Sequence, residues 1–375
     1  MLKLVGHHYI AGRRSFAGST TQQSVDASSG EPLPYQFHQA TAEEVAAAAQ
    51  AAAAAYPQFR ALAASRRAEF LEAIADEIDS LGDDFVSIVC RETALPAARI
   101  QGERGRTSGQ MRLFAKVLRR GDFYGARIDR ALPERLPLPR TDLRQYQIGV
   151  GPVAVFGASN FPLAFSTAGG DTAAIIRAAE KTAMPAGVFN MLFGNGAGAD
   201  LVKHPAIQAV GFTGSLKGGR ALCDMAAARP QPIPVFAEMS SINPVVLLPA
   251  ALKQRGAQIA TELTASVVLG CGQFCTNPGL VIGIRSAEFS AFVRDFAACM
   301  HEQPAQSMLN AGTLQSYSHG LQRLHAHPGL QHLGGHPQVG NQAQPQLFQA
   351  DASLLLKSDE LLQEEVFGPT SIVIE

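Results

Sequence analysis

The sequence has little net charge, few cysteines and no long apolar run. Its 31 basic and 32 acidic residues leave a formal net charge of -1, so no broad electrostatic attraction to nucleic acid or to an anionic membrane is expected. Five cysteines spread over 375 residues are unlike a disulfide framework and favour a reducing compartment. No apolar run is long enough to cross a bilayer, and the N-terminus lacks the apolar core of a signal peptide. We therefore expect a cytoplasmic protein with neither a nucleic-acid nor a membrane partner.

The residues that are present have the balance of a folded chain. Hydrophobic residues make up 46% and charged residues 17% of the sequence, which is typical of globular proteins. A chain of 375 residues is too long for one comfortable core, so two or three lobes are expected, with a ligand site in a cleft.

The pattern of the sequence changes after its first third. Residues 1–40 predict small strands and turns, and Thr41 with Glu44 forms a capping box before an alanine-rich helix. Helical spacing continues over 64–90 and 100–119, and a proline- and arginine-containing connector follows over 120–145. Short apolar runs then predict strands at 153–156, 188–193, 209–212, 235–236, 245–248 and 280–284. Glycine-rich turns or helical segments separate these runs, which indicates an α/β fold with parallel sheets that bind ligands beyond their carboxyl ends.

One cysteine lies in a loop suited to chemistry. Cys275 stands in the segment Gly-Cys-Gly-Gln-Phe-Cys-Thr-Asn-Pro-Gly, where a thiol can be reached by substrate and activated by a nearby helix end or cation. Taken alone, a cysteine is more often a small buried hydrophobe. Cys271 has no second Cys/His pair at zinc-like spacing, so we interpret it as a packing residue.

Three other segments place polar or small residues directly after predicted strands. Glu238 follows one strand and could activate water, although an isolated glutamate more often pairs with a surface cation. Asn160 could form a turn or donate its amide to an oxyanion. Gly214 and Ser215 stand between a strand and a helix, where free N–H groups can approach a pyrophosphate.

Together these segments resemble motifs of the aldehyde dehydrogenase superfamily, in the same order along the chain. The matching segments are Ser159-Asn-Phe-Pro, Phe212-Thr-Gly-Ser, Phe236-Ala-Glu-Met-Ser-Ser, Gly272-Gln-Phe-Cys-Thr-Asn-Pro-Gly and Glu364-Glu-Val-Phe-Gly-Pro. The third and fourth look most like the branch of α-ketoglutarate semialdehyde (2,5-dioxopentanoate) dehydrogenases and NADP-dependent fatty aldehyde dehydrogenases. The resemblance implies an N-terminal helical region and nucleotide-binding domain over 1–238, and a catalytic domain over 239–375. It also implies NAD or NADP as cofactor, with NADP favoured, and a homo-dimer or homo-tetramer for the full-length form.

The resemblance also assigns roles to residues. Cys275 would form a thiohemiacetal whose oxyanion is held by Asn160, and Glu238 would activate water against the thioester. The residues expected to bind the cofactor are Phe156, Ala158, Ser159, Gly214, Ser215, Met239, Glu365 and Phe367. The expected reaction is oxidation of an aldehyde to a carboxylic acid, α-ketoglutarate semialdehyde to α-ketoglutarate. Two alternatives stay open: a non-catalytic or cofactor-deficient binding protein derived from this fold, and a thioester or ester hydrolase that uses the same cysteine.

The sequence departs from the superfamily in two places. Relatives continue after residue 172 through a helix and a strand ending in a lysine that holds the adenosine ribose, whereas residues 172–181 take that place here. The chain also stops at Glu375, where relatives add the end of the catalytic domain and most of an oligomerisation arm. A natural deletion, an engineered fragment, or a sequence made of only the ordered parts of a longer polypeptide would each explain these gaps. We favour the third, because uncovered apolar faces and edges are costly.

Two further sets of side chains invite a functional interpretation. His325, His327, His332 and His336 stand among glycine and proline; we expect solvated loop histidines and no metal. A substrate carboxylate would need an arginine or lysine. The sequence does not place Arg104, Arg106 or Arg144 at such a site, and surface or interlobe pairing is expected for each.

Overall fold

The computed structural model describes residues 5–164, 170–337, 340 and 342–375. The helices are α1 (Ala42–Ala61), α2 (Ala64–Asp79), α3 (Asp83–Thr93), α4 (Ala97–Arg120), α5 (Gly170–Lys181), α6 (Ala197–Lys203), α7 (Leu216–Ala227), α8 (Pro249–Val268), α9 (Ala287–His301), α10 (Ala311–Ala326), α11 (Ala352–Leu356) and α12 (Glu360–Gln363). The strands are β1 (His8–Ile10), β2 (Arg13–Ser15), β3 (Thr21–Val25), β4 (Pro32–His38), β5 (Arg127–Asp129), β6 (Leu143–Gln145), β7 (Val153–Phe156), β8 (Ala209–Thr213), β9 (Val235–Glu238), β10 (Asn243–Leu247), β11 (Pro278–Gly283), β12 (Leu330–Gly335), β13 (Gln346–Ala350) and β14 (Thr370–Ile374). No described helix is both long enough and apolar enough to cross a membrane.

The contacts within the chain divide it into two units. The first comprises residues up to Ser24, Pro34–Val86 and Ala98–Glu238; the second comprises Val25–Leu33, Ser87–Ala97 and Met239–Glu375. One boundary therefore falls between Glu238 and Met239. The assignment of nucleotide binding to one domain and catalysis to the other stays a prediction.

The first unit contains a three-stranded parallel sheet in the order β7-β8-β9. One face packs on α6 and α7 through an apolar cluster that includes Ala154, Val202 and Leu222. On the other face Val155 is 67% and Phe236 is 70% exposed. Parallel sheets are normally packed on both faces, whereas Val155 and Phe236 line a cavity that separates this face from α2, α4 and α5.

The N-terminal helices follow from local sequence signals. The capping box of α1 is present: Thr41 Oγ1 accepts the Glu44 N–H at 3.2 Å, and Glu44 Oε2 accepts the Thr41 N–H at 3.1 Å. The helical segment predicted over 64–90 is broken between Asp79 and Asp83, where α2 ends and α3 begins. The connector after α4 contains the antiparallel pair of β5 and β6.

The strand predicted over 188–193 is wrong. That segment turns, and its backbone forms an isolated bridge in which Met191 exchanges hydrogen bonds of 2.8 and 2.9 Å with Tyr9 of β1. At Gly187 φ is +94°, and a Cβ there would lie 2.5 Å from the Ala51 carbonyl oxygen. A short apolar run does not by itself distinguish a strand from such a packed turn.

The second unit is built on a five-stranded sheet in the order β10-β11-β14-β13-β12. Only β12 runs antiparallel to its neighbour in this sheet. Every residue of β14 is buried: Val373 packs into a core with α8 and α9, and Ile372 and Ile374 pack into a second core with α10. The predicted α/β fold with parallel sheets is confirmed.

Candidate active site

The loop that carries Cys275 is held by amide and hydroxyl groups of the second unit. It connects a 3-10 turn at Leu269–Gly272 to β11, and the cysteine is half-buried. The Cys275 carbonyl accepts hydrogen bonds from Asn243 Nδ2 at 2.7 Å and Ser241 Oγ at 3.1 Å. Asn243 Nδ2 also donates to the Asn277 carbonyl at 3.1 Å. The segment after β9 therefore fixes the backbone from which the thiol projects.

Two of the sequence motifs meet at Gly272. Its φ is +66°, and a Cβ there would lie 2.3 Å from the Gly368 carbonyl carbon and 2.4 Å from Pro369 N. Asn277 Nδ2 donates to the Gly368 carbonyl at 3.0 Å. Because these contacts leave no space for a side chain, only glycine fits at the start of the cysteine motif.

Cys271 differs from Cys275 in its surroundings. Its side chain is buried in the α10 core, and its backbone N–H donates to Gln306 Oε1 at 3.1 Å. Burial raises the pKa of the Cys271 thiol to about 12, which suppresses the reactive thiolate. The interpretation of Cys271 as a packing residue is confirmed.

Glu365 and Phe367 line one pocket of the second unit, together with Ser241 and Asn277. Burial raises the pKa of the Glu365 carboxyl, although hydrogen bonds with the Ser240 side chain and the Ser241 backbone favour its charged form. The structure brings these two predicted cofactor residues together. Met239, the first residue after β9, is half-buried.

In the first unit, Asn160 lies in the turn that follows β7. The Phe161 N–H donates to the Ala158 carbonyl at 3.3 Å, which closes the turn. Ala158 is buried, Ser159 is exposed and Asn160 is half-buried. The predicted sequence of strand, turn and amide is therefore present.

Glu238 is the last residue of β9 and its side chain is exposed. Its carbonyl accepts the Gly214 N–H at 3.1 Å. Glu238 and Phe156 line one cavity of about 650 Å³ in the first unit, whose other walls come from α2, α4, α5 and β8. The structure thus brings the predicted base and one predicted cofactor residue to the same cavity.

Gly214 and Ser215 stand at the N-terminus of α7. Ser215 is the N-cap, and its Oγ accepts the Gly218 N–H at 3.2 Å. A Cβ at Gly214 would lie 2.8 Å from Phe212 Cζ, and one at Gly218 would lie 3.1 Å from the same atom. Phe212 was not identified from the sequence as a residue that shapes this turn, although it opens the Phe-Thr-Gly-Ser motif.

Each unit, taken by itself, has residues whose chemistry suits one part of a nicotinamide dinucleotide. In the first unit, the positive end of the α7 helix dipole suits a pyrophosphate, and the Phe212 ring leaves room only for glycine at 214. The partly buried Glu365 carboxylate suits a ribose diol, which needs a hydrogen-bond acceptor.

Two of the four histidines, His327 and His336, lie outside helices and strands as predicted, and the other two do not. His325 is in the last turn of α10 and His332 is in β12, and their rings lie 4.9 and 5.3 Å from that of Phe348. The antiparallel strand after α10 orders this stretch, which its glycine and proline content did not indicate. Within the described ranges, no group of three or more His, Cys, Asp or Glu residues is arranged to hold a metal.

Comparison with known proteins gives a consistent result. A profile described as "Aldehyde dehydrogenase family" matches residues 16–174 and 169–375. An α-ketoglutaric semialdehyde dehydrogenase of Acinetobacter baylyi is 52% identical over 397 positions, which cover 98% of this chain and 76% of that protein. Since 397 positions exceed the length of this chain, the relative has internal residues without a counterpart here. α-Ketoglutaric semialdehyde dehydrogenase 2 of Azospirillum brasilense is 48% identical, covering 100% of this chain and 77% of the relative.

A solved structure shows the same fold. The NADP-dependent glyceraldehyde-3-phosphate dehydrogenase of Bacillus halodurans, complexed with NADP, superposes with a TM-score of 0.82 at 19% identity, over 100% of this chain and 82% of that one. The profile and the two relatives cover nearly all of the chain, and the motifs stand in their expected structural positions. The chain therefore belongs to the aldehyde dehydrogenase family and is an NAD(P)-dependent enzyme that oxidises an aldehyde to a carboxylic acid.

Proposed function

We propose that the substrate is α-ketoglutarate semialdehyde and the product α-ketoglutarate. The observation that carries this proposal is the 52% identity to a relative of that name over 98% of this chain. The segments around Glu238 and Cys275 have the form typical of the same branch.

The proposed chemistry begins at the cysteine loop. The Cys275 thiolate attacks the aldehyde carbon and forms a thiohemiacetal, and the Asn160 amide and the Cys275 backbone N–H donate hydrogen bonds to its oxyanion. Bound NAD(P) supplies the acceptor for the hydride that leaves this carbon. Glu238 takes a proton from water, the water oxygen bonds to the thioester carbon, and the carbon–sulfur bond breaks to release acid and thiol.

The proposed cofactor residues follow the resemblance to the aldehyde dehydrogenase superfamily. Gly214 and Ser215 would hold the pyrophosphate at the start of α7, and Glu365 would accept hydrogen bonds from the nicotinamide ribose. The remaining residues of the proposed site are Phe156, Ala158, Ser159, Met239 and Phe367. NADP is favoured over NAD because of the resemblance to the NADP-dependent branch.

The finer features of the protein follow the same resemblance. We place nucleotide binding in residues 1–238 and catalysis in residues 239–375. We also propose a homo-dimer or homo-tetramer for the full-length form and a cytoplasmic location, which the low cysteine content favours.

The test is formation of reduced nicotinamide with α-ketoglutarate semialdehyde, measured with NAD and with NADP. Turnover of the semialdehyde with either cofactor, with α-ketoglutarate as the product, is expected. Release of acid from an ester or thioester without any reduced nicotinamide would favour the hydrolase instead. Binding of the aldehyde without any product would favour the cofactor-deficient binding protein.

A further inference from the structure

Helix α4 places two guanidinium groups beside the turn that carries Asn160. The central carbon of the Arg99 guanidinium lies 4.5 Å from the centroid of the Phe161 ring, and that of Arg106 lies 5.5 Å from it. Both distances allow a cation–π interaction. Phe161 directly follows Asn160, so positive charge is concentrated next to the amide proposed to hold the aldehyde oxygen.

Glu103 ties one of these arginines into the structure. Its side chain is fully buried, and its Oε2 accepts a hydrogen bond from Arg99 Nη1 at 2.6 Å. Its Oε1 accepts the backbone N–H groups of Leu163 and Ala164 at 2.8 and 2.9 Å. The carboxylate of Glu103 thus has both oxygens engaged, and Arg99 and Glu103 together fix the segment after Asn160.

Arg106 completes the cluster and is exposed. Arg99, Glu103 and Arg106 carry one formal positive charge in excess, and their spacing of four and three residues puts them on one side of α4. The other two arginines that the sequence left unplaced, Arg104 of the same helix and Arg144, make different contacts. Arg104 donates to the Leu81 carbonyl, and Arg144 in β6 pairs with Asp142 at 2.9 Å.

We propose that Arg106 binds the distal carboxylate of the substrate. The proposal rests on the proposed function, because a semialdehyde of a dicarboxylic acid carries its carboxylate at the end opposite the aldehyde. A carboxylate receptor for such a substrate must therefore lie near the oxyanion amide but apart from it, and Arg106 lies over the residue next to Asn160. The guanidinium of Arg106 can donate two parallel hydrogen bonds to a carboxylate. Arg99 is a positioning residue, because its partner Glu103 holds the segment after Asn160.

The experiment compares two five-carbon aldehydes, α-ketoglutarate semialdehyde and pentanal, in the wild-type enzyme and in Arg106→Met. Loss of a charge-assisted hydrogen bond should lower kcat/KM for the semialdehyde roughly 10- to 100-fold, chiefly through KM. Pentanal has no carboxylate, so its kcat/KM should change less than about threefold by the same reasoning. Arg106→Lys keeps the charge without the planar fork and should recover part of the loss. Inhibition by glutarate, a five-carbon dicarboxylate, should weaken in Arg106→Met in parallel with the rise in KM.

Arg144→Met is the matched control, since it removes an arginine already paired on an exposed strand, and both aldehydes should react as in the wild type. Equal losses for the two aldehydes in a folded Arg106→Met protein, or no loss for either, would overturn the role of Arg106. A wild-type enzyme that oxidises pentanal but not the semialdehyde would overturn the proposed substrate instead. If Arg106→Met does not fold, the same comparison in Arg106→Lys, including glutarate inhibition, decides the matter.

Discussion

The two parallel sheets of this protein differ in how well they are covered. In the second unit, β14 is buried along its whole length and contributes to a core on each face. In the first unit, one face of the sheet packs on helices and the other exposes Val155 and Phe236 among the described residues. Exposed apolar faces of this kind normally mark a missing layer or an interaction surface.

The proposed nucleophile and the proposed base stand on different sheets. Cys275 projects from a loop that Asn243, Ser241 and Gly368 connect to the covered sheet. Glu238 ends a strand of the half-covered sheet, in the unit where the resemblance marks a missing strand and lysine after residue 172. We therefore expect the loop that carries the nucleophile to be intact. If the 375 residues are the whole polypeptide, we expect the affinity for the dinucleotide to be reduced.

The largest expected loss of activity comes from replacing Cys275, beside the covered sheet. Cys275→Ala should abolish aldehyde oxidation while the protein stays folded, because the covalent step has no other nucleophile. Reduced nicotinamide measured over time gives the activity, and circular dichroism the fold. Cys271→Ala is the matched control, since it removes a buried thiol four residues away and should keep most of the activity. Turnover by the Cys275 variant would show that chemistry does not depend on this loop.

The next largest loss of activity is expected from replacing Glu238, at the end of a strand of the half-covered sheet. Glu238→Gln keeps the size and polarity of the side chain but removes the base, so steady-state turnover should fall by about 10²–10⁴. Acylation can still occur, and rapid mixing should show a burst of reduced nicotinamide followed by little turnover. Glu262→Gln, at an exposed position of α8, should leave both phases unchanged. Unaltered steady-state turnover in Glu238→Gln would exclude this residue as the required base.

The sequence predicted the parts of this fold that local chemistry determines. The capping box of α1, the strands β7, β8 and β9, and the helix start after Ser215 follow from signals within a few residues. The strand predicted over 188–193 is wrong because the segment turns, and only Met191 forms a bridge, to Tyr9 of distant β1. Strands β12, β13 and β14 were not predicted, and the pairing that orders β12 likewise comes from elsewhere in the chain.

The site shows the same limit. Cys275, Glu238, Asn160 and the cofactor residues came from motifs, and their roles stay predictions. Asn243 lies within a quoted motif, yet its bond to the Cys275 carbonyl is a contact across 32 residues. The placement of Arg106 over Phe161 depends on how α4 packs beside the turn after β7, and no periodicity in the sequence indicates that packing.

Replacing one phenylalanine in each sheet tests how well the two sheets are covered. Phe348 in β13 is buried, so Phe348→Ala should lower the free energy of unfolding by about 3–5 kcal/mol. Phe236 in β9 is largely exposed, so Phe236→Ala should change it by no more than about 0.5 kcal/mol. Urea denaturation of the two variants and the wild type gives both values. A similar loss in the two variants would mean that the open face is covered in solution, by more of the chain or by another copy.

The smallest expected effect concerns the adenosine half of the cofactor, and it applies if the 375-residue chain is the complete polypeptide. The lysine that the resemblance assigns to the adenosine ribose has no counterpart here, and loss of one charge-assisted hydrogen bond costs roughly 1.5–3 kcal/mol. At about 1.4 kcal/mol per tenfold, affinity should be roughly one to two orders of magnitude weaker than in the Acinetobacter baylyi relative.

Calorimetric titration with NAD, NADP, AMP and nicotinamide mononucleotide can assign the deficit to one half of the dinucleotide. AMP should bind more weakly than it does to the relative, and nicotinamide mononucleotide should bind equally, because Glu365 lies in the unit with the covered sheet. Glu365→Gln provides the opposite control, since it should weaken the mononucleotide and leave AMP unchanged. Equal affinity of the two proteins for AMP would show that the open sheet holds the adenosine without the missing strand, and the difference between the two sheets would then have no consequence for the cofactor.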